Sequence, residues 1–385
     1  MSSVDGSNAR SCVRRAVLGA RAAFLLAGVG TTAWAPLVPL AKARVALDNG
    51  EMAAVLLCLG VGSVIAMLTA APLYERFGCR KVITWALIVI SLALPCLASA
   101  SSAPLLVASL LLFGLGIGAM DCSINIWAVA IEREYGRSIM SGLHGHFSLG
   151  GVISPTCISL LLGNGASAAV ATSVLSSLLL IALALVRRLM PIDTDSARRS
   201  VLVLPKGPVV LLATLCFVVY LAEGAVFDWS AVFLTSTRNS DRAHAGYGYV
   251  AFSVAMTLCR LAGDSIVRQY GGARIIAAGG LCAAAGMAMA VVVPNWTATM
   301  VGFGLLGMGC ANLVPVLFTA AGKQRAMPVA RAIPAIATVG YAGVLAGPSG
   351  IGFIAEVSNL SVSLLVVAVM LVGVACCAGR VGRIH

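Results

Sequence analysis

A chain of 385 residues that is 60% hydrophobic and only 10% charged, with a mean hydropathy of +0.99, lacks the charged surface of a water-soluble protein. Its net charge of +12 would suit nucleic acid or an anionic surface, but the basic residues segregate by position between apolar runs and form no patch. The twelve cysteines are scattered without a C-x-x-C, so neither a disulfide framework nor a metal site is expected.

The apolar runs are each near the ~19 residues that cross a ~30 Å hydrocarbon core. Taken in order they predict twelve helices, at about 16–40, 52–74, 81–100, 104–129, 139–162, 166–187, 208–235, 246–268, 273–293, 297–320, 329–355 and 359–379. The first, with Arg14-Arg15 ahead of it and Ala33-Trp34-Ala35 near its end, imitates a cleavable signal peptide; we read it as the first helix. Basic residues fill alternate connections: Arg10, Arg14 and Arg15; Arg76, Arg80 and Lys81; Arg133 and Arg137; Arg187, Arg188, Arg198, Arg199 and Lys206; Arg268 and Arg274; Lys323, Arg325 and Arg331; Arg380 and Arg383. The other connections hold Lys42, Arg44, Arg238 and Arg242. That asymmetry places both termini in the cytoplasm.

The longest polar interval, about 188–207, falls mid-chain, and the flanking sequences echo each other. AGVGTTAWAPL (27–37) aligns with AEGAVFDWSAV (222–232), ERFGCRK (75–81) with RQYGGAR (268–274), and FGLGIG (113–118) with FGLLGM (303–308), at offsets of 195, 193 and 190. The expected fold is an all-α membrane protein with twelve transmembrane helices in two parallel six-helix repeats. Residues 1–188 form the first bundle, 189–207 a cytoplasmic linker and 208–385 the second bundle. GLGIGAMD (114–121) has the glycine spacing of a dinucleotide loop, but no strand precedes it. Its small residues are read as helix-packing positions.

A charge at mid-membrane costs ~2.5–3.5 kcal/mol on insertion scales, so each one in a span needs a partner or water. Arg21 lies about one turn into the first span, Asp121 and Asn125 one turn apart in the fourth, and His144 near the start of the fifth. Burial and attraction to a nearby cation act in opposite directions on a carboxylate. That competition suits a group that loads and releases a proton; the alternative is a permanent Arg21–Asp121 pair joining two helices. In the seventh span Glu223 is deep enough to face a central cavity and is grouped with the proton-coupling candidates. Asp228 is five residues further on, ~140° around the helix; it is grouped with the candidate substrate contacts, with a gate contact or a solvated acid as the other readings. Trp34 and Trp229, equivalent in the two halves, are candidate substrate-stacking residues or interfacial anchors. Tyr341 and Asn312, polar residues within the eleventh and tenth spans, join Asn125 as candidate substrate contacts. Arg260 and Asp264, four apart in the eighth span, are expected to pair. With Arg268 they form a gating counterpart to Glu75, Arg76, Gly78 and Arg80.

These residues resemble the major facilitator superfamily over all twelve spans. The family's helix 2–3 signature, G-x-L-A-D-R-x-G-R-[KR], survives in part as APLYERFGCRK (71–81), with Glu75 for its Asp and Cys79 for its first Arg. Asp121 with Asn125, the run VAIEREYGRSIMSGLHGHFSLGG, AEGAVFDWSAVFL and CRLAGD are similar to a bacterial inner-membrane permease branch. That branch is related to a rhizopine-locus transport protein and distantly to fucose–proton symporters. The resemblance implies that Asp121 and Asn125 serve sugar binding and proton coupling, and that His144 replaces a polar amide. Leu37 stands where the branch often carries Arg, which argues against an anionic substrate.

The expected function is secondary active transport of a small, sugar-like polar solute across the bacterial inner membrane, coupled to protons. The alternatives are efflux by proton antiport, for which GGVISP (150–155) only approximates the antiporter signature, and a receptor that no longer transports. The expected partners are the small-molecule substrate, the proton and the lipid bilayer, with no nucleic acid, and the chain is expected to act as a monomer. Neither cofactor nor metal is expected, and no enzyme motif is present.

Overall fold

The computed structural model describes residues 3–47, 49–190, 204–238 and 246–384. Most of the expected linker, with Arg198 and Arg199, lies outside them, as does Arg242. Among the described residues all regular structure is helical, and twelve stretches are long and apolar enough to cross a membrane. The chain is a multi-pass membrane protein.

The first span is α1 (Ser3–Thr32) followed by α2 (Val38–Val45), and α3 (Asn49–Phe77), α4 (Cys79–Ser99) and α5 (Ala103–Tyr135) make the next three. Then come α6 (Met140–Gly163), α7 (Ala168–Val186), α8 (Pro208–Thr237), α9 (Tyr247–Tyr270) and α10 (Gly272–Val292). The tenth span is α11 (Trp296–Cys310) plus α12 (Leu313–Lys323), the eleventh α13 (Val329–Val357), and the last α14 (Leu360–Cys376) plus α15 (Ala378–Val381). Three spans predicted as single helices are therefore interrupted, the last of them briefly at Cys377. The first breaks at a 3-10 turn, Ala35–Leu37, around Pro36, which has no N–H to continue the ladder. The tenth breaks at Ala311–Asn312.

The chain divides into two compact units. One contains Met1–Gly136 and His146–Val203, the other Arg137–Gly145 and Leu204–His385. The start of α6 thus packs with the second unit. Within the first, α3 and α4 both pack on α5, and α4 on α7; within the second, α8 packs on α13, and α10 on α11 and α14. Phe24 and Phe113 are fully buried in the first unit, as are Phe233, Phe303 and Phe318 in the second. Leu160, Ile181 and Val369 are exposed, as apolar residues are when the solvent on that side is lipid.

Each unit repeats the other's close contacts. Gly78 and Gly271 sit at equivalent turns, with φ of 77° and 79°, a backbone region that favours glycine. A Cβ on Gly114 would strike the Leu59 carbonyl, and one on Gly307 the Phe252 carbonyl. All these pairs are 193 apart (271 − 78, 307 − 114, 252 − 59). The sequence match of FGLGIG with FGLLGM at 190 is therefore shifted by about one turn, because glycines recurring at helical spacing align almost as well when slid. Two arginines on the sparsely basic side are equivalent as well. Arg44 donates to the Leu97 and Ala100 carbonyls at the end of α4, both at 3.4 Å. Arg238 donates to the Ala290 and Val291 carbonyls at the end of α10, at 3.0 and 2.6 Å. Each satisfies carbonyls that a helix C-terminus leaves open.

Candidate functional site

In the first unit the polar centre is on α5. The Asn125 amide nitrogen donates to Asp121 Oδ1 at 3.2 Å and to the Asp121 carbonyl at 2.9 Å. Asn125 is fully buried and Asp121 half-buried. Spacing of four puts the two on one helix face, as the sequence suggests. The alternative reading, a permanent Arg21–Asp121 pair, is not among the ion pairs of the described residues. Arg21 is exposed, since its position on α1 points away from the packed face that buries Ala20, Ala23 and Phe24. Trp34 is buried at the break after α1, and its indole nitrogen has no hydrogen-bond partner among the described residues.

At the α3–α4 turn Gly78 holds its left-handed conformation, and the exposed Arg76 guanidinium lies 5.0 Å from the centre of the Phe77 ring. Phe77 meets Trp85 edge-on at 4.9 Å. Glu75 and Arg80 are half-buried on either side of that turn.

The second unit holds a denser constellation. Arg260 on α9 is 7% exposed. Its Nη2 lies 3.2 Å from Glu223 Oε1 on α8, and its Nε donates to the Ala311 carbonyl at 3.1 Å. A buried cation is tolerated only when its donors are satisfied in this way. Asp264, one turn along, accepts instead from the backbone N–H of Gly142 at 2.8 Å. The two residues expected to pair with each other thus each also reach another helix, Arg260 to α8 and Asp264 to α6. Gly142 is the third residue of α6, where N–H groups have no intrahelical acceptor, so the Asp264 carboxylate caps that helix from α9. Glycine suits the fit, since a Cβ on Gly142 would push this carboxylate aside.

His144, grouped by the sequence with Asp121, belongs to the second unit, where its ring stacks on Phe318 at 6.1 Å. Asn312 is 6% exposed and donates to the Cys259 carbonyl at 3.4 Å, with its Oδ1 against Gly263. Asp228 is exposed, while Trp229 beside it is half-buried near Gly352 on α13. Tyr341 is half-buried on α13, and the exposed Arg268 donates to Ser265 Oγ at 3.0 Å. Sequence reasoning missed the Glu223–Arg260 pairing and the break at Ala311. The signal for the break was Pro315, four residues beyond the carbonyl it cannot serve.

The chain's similarities agree with this architecture. The model of the Major Facilitator Superfamily matches residues 22–348. An uncharacterized MFS-type transporter of Yersinia pestis is 44% identical over 366 residues, covering 94% of this chain and 95% of that one. The membrane protein MosC of Rhizobium meliloti is 30% identical over 354 residues, covering 92% and 87%. Among solved structures, FucP in the outward conformation superposes with a TM-score of 0.75 at 14% identity, covering 94% of this chain and 97% of that one. Fold, span count and these relatives together place the chain in the major facilitator superfamily of membrane transporters.

Proposed function

We propose that this transporter moves a small polar solute across the bacterial inner membrane by secondary active transport with the proton as coupling ion. The observation that carries the reading is the half-buried Asp121 carboxylate held by Asn125 inside an otherwise apolar span. A carboxylate so placed persists only with a partner, water or a proton, and its bond from an amide leaves one oxygen for a proton or a solute hydroxyl. The solved relatives of similar fold include a fucose–proton symporter and a proton–xylose symporter, whose cargo suggests a sugar-like polar solute here. The half-buried Trp229 supplies flat apolar surface with a donor edge, suited to stacking on such a ring. The Glu75–Arg80 turn and the Asp264 cap on α6 act as gates. Both termini face the cytoplasm, and the protein works as a monomer.

The test is solute-driven proton movement in proteoliposomes across a panel of sugars and polyols. Asp121→Asn keeps the shape and removes the titration. It is expected to abolish uphill accumulation while leaving solute exchange intact. Accumulation equal to the parent's at every pH would sink proton coupling at this residue.

A further inference from the structure

The break in the tenth span has a local chemical cause. The Ala311 N–H keeps its helical bond to the Gly307 carbonyl at 3.1 Å, and the Val316 N–H bonds the Asn312 carbonyl at 3.1 Å. Between these rungs, the residue that should donate to the Ala311 carbonyl is Pro315, which has no N–H. A carbonyl left open in an apolar bundle is costly unless another donor reaches it. Arg260 Nε does so from α9, and the same guanidinium holds Glu223 on α8. One rigid, planar group therefore ties three spans together, and it cannot turn away from one partner without disturbing the other.

We propose that Arg260 is a positioning residue through which the charge of Glu223 sets the conformation of the tenth span at Ala311–Asn312. While Glu223 is charged, its attraction holds the guanidinium plane where Nε meets the carbonyl. A proton taken from water onto the Glu223 carboxylate removes that attraction. Arg260, a buried cation that has then lost the charge of Glu223, reorients toward other acceptors, and the freed carbonyl lets α12 loosen from α11. Glu223 is also faced by Cys216 on its own helix and by Cys310 at the end of α11. Arg260 interacts electrostatically with His144 at the start of α6 and with Cys310. The inference rests on the chain being an alternating transporter but not on Asp121.

Hydrogen exchange of the α12 amides, measured by mass spectrometry on the full chain in detergent or nanodiscs, tests it without transport. At fixed pH, Glu223→Gln is expected to speed exchange over 313–318 by about tenfold, the effect of one charge-assisted hydrogen bond. Arg260→Lys, which keeps the charge but loses the fork, is expected to act in the same direction. Pro315→Ala restores the missing N–H, so adding Glu223→Gln to it is expected to change nothing further. Unchanged α12 exchange in folded Glu223→Gln overturns the proposal, as does a rise that persists undiminished with Pro315→Ala. Should Glu223→Gln fail to fold, the parent is compared across pH, with α12 normalised to α5. A constant ratio overturns the proposal equally. Because Asp121 plays no part in the readout, this result and that of the coupling test stand or fall separately.

Discussion

Arg260 shows what a single residue demands of its surroundings. Removing one partner of a buried ion pair leaves the other uncompensated, at a cost of about 3–5 kcal/mol, whereas replacing both by apolar groups is often neutral. Glu223→Ala is accordingly expected to lower the thermal unfolding temperature in detergent. Glu223→Ala with Arg260→Met leaves the Ala311 carbonyl without its donor, so it should recover most of that loss only when Pro315→Ala also restores the missing N–H. Equal destabilisation by Glu223→Ala in the Pro315→Ala background with and without Arg260→Met would show that the pair is not coupled. At this scale the sequence was readable only where partners share a helix. Asp121 and Asn125 are four apart, and periodicity alone puts them together. The partner of Arg260 lies on another helix, and so did the one expected for Arg21. The choice between them depends on how each helix is rotated about its axis, which a window of mostly apolar residues does not encode.

Among elements, the joint between α9 and α6 is a carboxylate against a helix N-terminus. Such a contact is worth about 0.3–1 kcal/mol when exposed and up to ~2 kcal/mol when partly buried. That magnitude shifts an equilibrium between conformations without unfolding either one. Asp264→Asn, which keeps a weaker acceptor, is expected to change the labelling of single cysteines placed near Arg137 and Arg325. Gly142→Ala, which forces the carboxylate aside, should change it in the same direction. No change in either variant would reduce the contact to packing. The existence of all twelve spans was legible because hydropathy over ~19 residues is a strong signal. Their ends and interruptions were not, because hydropathy sees only the hydrocarbon depth. Pro36 and Pro315 break their spans while Pro72, Pro95 and Pro155 lie inside unbroken helices. A proline by itself therefore does not announce a break.

For the whole molecule, the duplication was legible in the Gly78–Gly271 turn and obscured where glycine is common. Equivalent contacts predict equivalent costs. Gly114→Ala and Gly307→Ala each force a methyl into a facing carbonyl and should destabilise by similar amounts, about 1–3 kcal/mol, read as loss of thermal stability. A large disparity would argue against matched seams in the two units. The charge asymmetry predicts that cysteines near Arg137 and Arg325 are labelled from the cytoplasm and one near Asn164 from outside; inverted labelling would refute the orientation. Finally, the start of α6 belongs to the unit made last, and this orders events during synthesis. Gly142 and the Asp264 that caps it are 122 residues apart, so a ribosome adding ~5–20 residues per second completes that end of α6 only after roughly ten seconds. Until then that end of α6 lacks the carboxylate that caps it, and the fifth span waits on the eighth to be completed.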